Sequence, residues 1–332
     1  MTPPGPLRER LGVAGFDGAV RAYAALVRAL PQTDPRRHGV TVTADVPYLP
    51  GGHNDHRLDV YAPSDGAGVP LLYVHGGGFG RLSRRVYWLA ALTLARAGFT
   101  VFALDHRRAP AHRYPAAHAD VAAAALWVRD HAARYGADPA RLVAAGDSTG
   151  ANLVTSLALA TSLRSDEPWA RAVFDAGLAL RAVAAACGLF EVTDPGRYLA
   201  RADLAPWVRD AIAAVPRAYC APDAGGAPRL VDPVVVLERA PRLDRPLPPF
   251  LLAVGGDDPI ADDTRRLARA LDRHGARHEV RVYDGGVHGF HYLLPWQARS
   301  RACWADHARF LSRHAAAAEG AASEQDGPRR AP

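Results

Sequence analysis

The chain contains no lysine, and its forty basic residues are all arginine. Mechanisms that run through a lysine Schiff base or a lysine-activated serine are thereby excluded. Asparagine (Asn54, Asn152) and isoleucine (Ile212, Ile260) occur twice each and methionine once. This is the bias of a GC-rich coding sequence, in which Ala, Arg, Gly and Pro replace residues with AT-rich codons. The net charge of +6 follows from the same bias. A nucleic-acid binder gathers its basic residues into a stripe with aromatics interleaved. Here the arginines are scattered among 34 acidic residues, so no nucleic-acid partner is expected. Cys187, Cys220 and Cys303 are odd in number, far apart and without CxxC spacing. That argues against a disulfide framework and a structural zinc site and makes a reducing cytoplasm the expected location. No apolar run reaches the ~18 residues of a membrane span, and residues 1–12 lack the apolar core of a signal peptide. No repeat of roughly 20–50 residues marks a solenoid or propeller.

What the chain does have is bulk: 332 residues, 49% apolar, enough for one large domain or one domain with a small insert. Short apolar runs at 41–49, 57–61, 70–76, 99–105, 141–147, 181–188, 249–256 and 278–284 alternate with helical stretches at 85–97, 117–136, 149–164, 262–275 and 297–316. Several later runs are continuously apolar, as expected of parallel strands covered on both faces. Strand and helix in alternation predict an α/β sheet flanked by helices. Two segments break the rhythm. One is 1–38, where 17–30 reads as an amphipathic helix ended by Pro31; the other is the Pro-rich 189–248, with a helical piece near 204–219. Either could lie as a lid over the carboxyl edge of the sheet. Residues 318–332 are poor in apolar residues and expected to be disordered.

Gly146-Asp147-Ser148-Thr149-Gly150 falls between a predicted strand and a predicted helix. In that setting a serine sits on a sharp turn with its hydroxyl exposed at the sheet edge, and the flanking glycines let strand and helix pass closely. The alternative is a helix N-cap serine. His75-Gly76-Gly77-Gly78-Phe79 follows the strand ending at Val74. Consecutive glycines present backbone N–H groups that can converge on a developing oxyanion, each donor worth about 3–4 kcal/mol in a transition state. Neither the G-x-G-x-x-G of a dinucleotide loop nor the GK[ST] of a phosphate loop is present. A serine of ordinary pKa needs a base, and the base an orienter. His288, in the loop after the last predicted strand, is the base chosen over His291. Asp258, fixed by Pro259 in the loop after the strand at 250–254, is chosen over Asp257 as the acid. The order Ser148, Asp258, His288 is that of an α/β hydrolase.

HGGGF, then Asp105-His106-Arg107-Arg108-Ala109-Pro110 with Tyr114-Pro115-Ala116, then GDSTG, DPI with Asp262 and Asp263, and HGF resemble the hormone-sensitive-lipase-like carboxylesterases over about residues 45–312. The resemblance implies a mostly parallel eight-stranded α/β-hydrolase sheet with a small helical cap. It divides the chain into a cap segment at 1–38, a first core part at 39–188, a cap insert at 189–248, a second core part at 249–317 and the tail. It places the oxyanion donors on Gly77, Gly78 and Thr149, and implies a small-molecule ester substrate, no metal or cofactor, no membrane, and a homodimer paired through the sheet edge or a nearby helix. The expected activity is hydrolysis of short- to medium-chain acyl esters. The alternatives are an amidase, arylformamidase or acyltransferase with the same triad, or a non-catalytic receptor, which would lack the base that His288 supplies.

The sequence departs from the family at Thr149, usually alanine, and at His106, Arg108 and Ala111, usually tyrosine, leucine and glutamate. Thr149 is expected either to narrow the oxyanion site or to add a hydroxyl contact, and Ala111 removes a brace. Arg81, Arg84 and Arg108 are the arginines to test against an anionic substrate, beside the alternative of a solvated surface role. His53 to His56 are weighed as a metal site and set aside for want of a third ligand cluster, and His106, His112 and His118 match no helix or strand period. Trp207 and Tyr219 are expected to pack the lid or line an acyl pocket, and Cys187 to be a buried, inert thiol.

Overall fold

A computed structural model describes residues 7–65, 68–220 and 229–323. Eight strands, β1 (Val40–Pro47), β2 (Arg57–Pro63), β3 (Val69–Val74), β4 (Phe99–Leu104), β5 (Val143–Asp147), β6 (Val183–Ala186), β7 (Phe250–Gly255) and β8 (His278–Tyr283), form one sheet in the order β1-β2-β4-β3-β5-β6-β7-β8. The β1–β2 and β2–β4 pairs are antiparallel, and every other pair is parallel. Each of the eight expected runs is a strand.

The parallel strands read as unbroken apolar runs because both their faces are covered. Leu72, Val74, Phe102, Leu104, Val183, Phe250 and Leu252 face one core layer, while their neighbours Leu71, Tyr73, Val101, Ala103, Ala184 and Leu251 face the other. Helices α1 (Leu7–Arg28), α2 (Trp88–Ala95), α3 (Ala116–His131), α4 (Thr149–Ser162), α5 (Pro168–Asp175), α6 (Gly196–Leu199), α7 (Pro206–Tyr219), α8 (Pro233–Arg239), α9 (Ala261–Arg273), α10 (Phe290–Leu293) and α11 (Ala298–Ser323) complete the described chain. Helix α4 is buried along its whole length, so its small residues decide how near the sheet it lies.

Four helices fall outside the expected stretches. Among them, α5 and α8 each begin with a proline at the first helical position, where its missing N–H costs nothing. That proline and the β-branched Val234, Val235 and Val236 hide α8 from a helical reading. Of the tail expected to be disordered, 318–323 continue α11, and 324–332 lie outside the described residues.

The ends of the 189–248 segment are fastened to buried polar groups. Asn152 on α4 donates to Leu189 O and Val231 O (2.8 and 2.9 Å). Asp232 accepts the N–H groups of Val192 and Thr193 (2.5 and 3.0 Å). Fully buried Asp263 on α9 accepts the N–H groups of Phe190 and Glu191, the Tyr198 hydroxyl and the Arg197 guanidinium. Each carboxylate collects several donors and so is paired rather than stranded in the interior.

Candidate active site

Strands β3, β5, β7 and β8 run the same way, so the loops at their carboxyl ends open on one edge of the sheet. Ser148 stands between β5 and α4 with φ 55° and ψ −119°, a conformation that costs an ordinary residue of order 1–3 kcal/mol. Close packing on both sides holds it there. A Cβ on Gly150 would lie 2.1 Å from Val74 O, and one on Gly146 2.6 Å from Gly150 O. Only glycine permits strand and helix to meet at this turn.

The Ser148 Oγ is 3.0 Å from His288 Nε2, and His288 Nδ1 is 2.9 Å from Asp258 Oδ2 and 3.1 Å from Oδ1. Asp258 also accepts the Ile260 N–H at 2.9 Å. A Cβ on Gly255, at the end of β7, would lie 2.0 Å from Gly286 O, so its absence lets the Asp258 and His288 loops touch. Burial alone would lower the His288 pKa. The Asp258 charge and hydrogen bond outweigh it and hold the imidazole above its ordinary value. Asp257 is exposed. His291 is buried against Phe290 and Trp304, with burial pushing its pKa down to about 3.

Gly77 and Gly78 have φ of +121° and +63°, and among the described residues their N–H groups donate to nothing in the chain. The Thr149 N–H is a first-turn donor of α4 without an acceptor inside the helix. The loop abuts the candidate nucleophile: a Cβ on Gly76 would lie 3.0 Å from Ser148 Cβ. The Thr149 side chain is turned to the backbone of this loop. Its Oγ1 accepts the Phe79 N–H at 3.3 Å and so braces the loop from inside. Thr149→Val keeps the shape and strands the Phe79 N–H, so it is expected to cost about 1–3 kcal/mol in stability, measured by urea unfolding, while Thr149→Ser stays near the parent.

A buried polar layer lies beneath this loop. Asp147 accepts the hydroxyls of Tyr73 and Tyr87, both at 2.9 Å; burial raises its pKa and the two hydroxyls pull it back. His75 contacts Gly76 O (2.7 Å) and Asp105 (3.4 Å) and stacks on His106 at 4.9 Å. His106 is buried, which pushes its pKa down to about 4 and leaves it a neutral stacking ring. Asp105 is drawn well below the carboxylate range by His75 and Arg84 in spite of its burial.

Arg84, expected as a surface or substrate-facing residue, is neither: it is 3% exposed and paired with Asp105, Asp45 and Asp59. A guanidinium at the start of a helical stretch reads as solvated because its acidic partners come from β1, β2 and the loop after β4. Arg108 pairs with Asp55 (2.7 Å) and Arg81 with Asp17 on α1 (3.1 Å). Ala111 is exposed, and the neighbouring loop is held instead by the Ala109 N–H on Phe79 O and the Arg107–Asp120 pair.

Tyr219 packs under the glycine loop, 4.0 Å from the Phe79 ring. Trp207 does not pack; it is 61% exposed. Val215 of α7 comes within 3.6 Å of a Cβ position on Gly78, which sets this helix against the loop. The rings of His53, His56 and His112 do come together, yet His53 accepts the Asp55 N–H and His56 faces Asp120. Among the described residues, the group of possible metal ligands within 4.8 Å of one another is Cys187, Asp258 and His288. Burial drives the Cys187 thiol well above its ordinary pKa, and a protonated thiol is a poor metal donor. Its nearness to the relay has no signal in the sequence.

A serine, an imidazole and a buried carboxylate in line beside unpaired backbone donors, at the carboxyl edge of a mostly parallel sheet, define a serine hydrolase arrangement. The chain belongs to the alpha/beta hydrolase fold family whose profile, Abhydrolase_3, matches residues 71–292. It is 30% identical over 299 residues to the carboxylic ester hydrolase LipN of Mycobacterium tuberculosis, covering 84% of this chain and 73% of LipN. To an acetyl esterase of Salmonella choleraesuis it is 30% identical over 251 residues, 74% of this chain and 72% of the relative. The structure of the esterase LipW from Mycobacterium marinum superposes with a TM-score of 0.72 at 25% identity, covering 91% and 90% of the two chains. An esterase of Pyrobaculum calidifontis shares the fold with a TM-score of 0.71 at 23% identity, covering 91% and 93%.

Proposed function

We propose that this chain is a serine carboxylesterase that hydrolyses short- to medium-chain acyl esters through an acyl-enzyme. The observation that carries the reading is the continuous contact from Ser148 through His288 to Asp258 beside the free Gly77 and Gly78 donors. Ser148 Oγ attacks the ester carbonyl and its proton passes to His288 Nε2. The N–H groups of Gly77, Gly78 and Thr149 hold the oxyanion, and His288 returns the proton to the departing alcohol. Water, deprotonated by the same imidazole, then releases the carboxylate from Ser148. Asp258 keeps Nδ1 protonated throughout, so that Nε2 faces the serine with a lone pair. The family and the named esterase relatives support the same chemistry.

The described parts of segments 1–38 and 189–248 form the cap in this reading, supported by the Arg81–Asp17 pair and by the approach of Val215 to Gly78, and residues 1–6 and 221–228 lie outside the described residues. Turnover of p-nitrophenyl esters from acetyl to decanoyl tests it, with an alcohol added in a second series to detect transfer. Hydrolysis falling off beyond medium chains is expected. Inertness to every ester, or acyl transfer exceeding hydrolysis, would overturn it. No helix among the described residues is long and apolar enough to cross a membrane. A cytoplasmic location is supported by Cys187, Cys220 and Cys303 being unpaired thiols. A homodimer would join at β8, whose outer edge exposes Val280 and Val282.

The base must be neutral to accept the serine proton. Since Asp258 raises the His288 pKa, kcat/KM is expected to fall on acidification with an apparent pKa above that of an ordinary imidazole and to level off only at pH above that value. A pH profile with p-nitrophenyl acetate checks this.

A further inference from the structure

Strands β6, β7 and β8 begin at the sheet edge opposite Ser148. At that edge Arg181, Pro249 and Arg277, which precede the three strands, line a recess of about 610 Å³. A strand of this length spans roughly 20 Å, so the recess is separate from the esterase site. Thr161, Arg245 and His314 complete its polar lining, and Leu178, Leu247 and Pro248 supply apolar walls; the described lining residues include no aspartate or glutamate.

The carboxylates close by in sequence are already taken. Asp244 accepts the Arg164 N–H at 2.7 Å, and Glu279 pairs with Arg281 and Arg313. Among the described residues, no hydrogen bond or ion pair engages the guanidinium of Arg181 or Arg277. Arg245 is held in place, donating to Phe174 O at 2.9 Å with its guanidinium carbon 3.7 Å above the Phe174 ring. Three like charges gathered around one concavity without a counter-charge repel one another, and a compact polyanion removes that repulsion. Guanidinium forks match phosphate oxygens in paired hydrogen bonds, while the leucine and proline walls suit an uncharged organic body.

We infer that this recess binds a small organic polyphosphate, the two or more phosphate charges against Arg181, Arg245 and Arg277 and the organic part against Leu178 and Leu247. Titration calorimetry of the full chain at low salt tests it with pyrophosphate and with ADP as probes. One-to-one binding is expected for both, tighter for ADP, and weakened at least about tenfold in Arg181→Ala/Arg277→Ala. The control Arg37→Ala/Arg96→Ala removes the same charge from exposed positions elsewhere and is expected to bind like the parent. Unchanged p-nitrophenyl acetate turnover in the recess variant shows that it is folded. Failure of both probes to bind, or equal weakening in the control pair, overturns the site. ADP binding no tighter than pyrophosphate overturns the role of the apolar walls.

Discussion

Ser148→Ala is expected to lower kcat for p-nitrophenyl acetate by about 10⁶ and to abolish labelling by a fluorophosphonate. The size follows from how the neighbouring groups depend on the serine. His288 Nε2 accepts the proton of the Ser148 Oγ, 3.0 Å away. Without the hydroxyl, the imidazole and its Asp258 partner have nothing to activate, so most of the relay's contribution disappears at once. The free N–H groups of Gly77 and Gly78 remain and still polarise a carbonyl toward water. A residual rate of about 10³–10⁴ over the uncatalysed reaction is therefore expected. The fold should be unaffected, because alanine meets the same backbone strain at φ 55° that serine already bears. KM should change little, since the hydroxyl contributes to the transition state more than to ground-state binding. A variant retaining a tenth of parental kcat would show that another group attacks the ester.

The strands and the members of the candidate site were legible where the information is local. Each apolar run marks a strand because covering both faces removes the polar alternation. Ser148, Asp258 and His288 could be picked out because each lies in a loop at the carboxyl end of a strand, between glycines or beside a proline that shapes the turn. His288 differs from His291 in the same way: it stands in the loop after β8, while His291 is buried between Phe290 and Trp304.

What stayed hidden depends on which strands become neighbours. Asp147 meets Tyr73 because β5 pairs with β3, bringing together residues 74 positions apart. His75 meets Asp105 because β3 also pairs with β4. The Thr149 side chain could be read as facing the substrate until the turn at Phe79, with φ 60°, aimed that residue's N–H at the threonine oxygen. Arg84 illustrates the same limit: its three acidic partners are 14 to 60 positions apart from one another and converge only in the folded sheet.

Asp258→Asn is expected to reduce kcat by about 10⁴ while leaving the fold intact. The substitution keeps the shape of a side chain that is fully buried in the relay and keeps an oxygen for the Ile260 N–H. With that oxygen so engaged, the amide nitrogen faces His288 Nδ1. The donor there forces Nδ1 to accept, which moves the imidazole proton to Nε2, toward Ser148. An Nε2–H cannot take the serine proton, so the nucleophile is lost through the wrong tautomer rather than through any displaced atom. The second signature is in the pH profile. Asp258 is the charge that raises the His288 pKa against burial. Removing it leaves burial opposed only by the weaker influence of the Asp147 charge, so the acid limb of the residual activity should move to lower pH. A merely structural carboxylate would lower activity through stability, with an unchanged limb and a lowered Tm. A variant with parental Tm, a 10⁴-fold lower kcat and an acid limb shifted downward is the expected result, and retention of the parental limb would remove Asp258 from the relay.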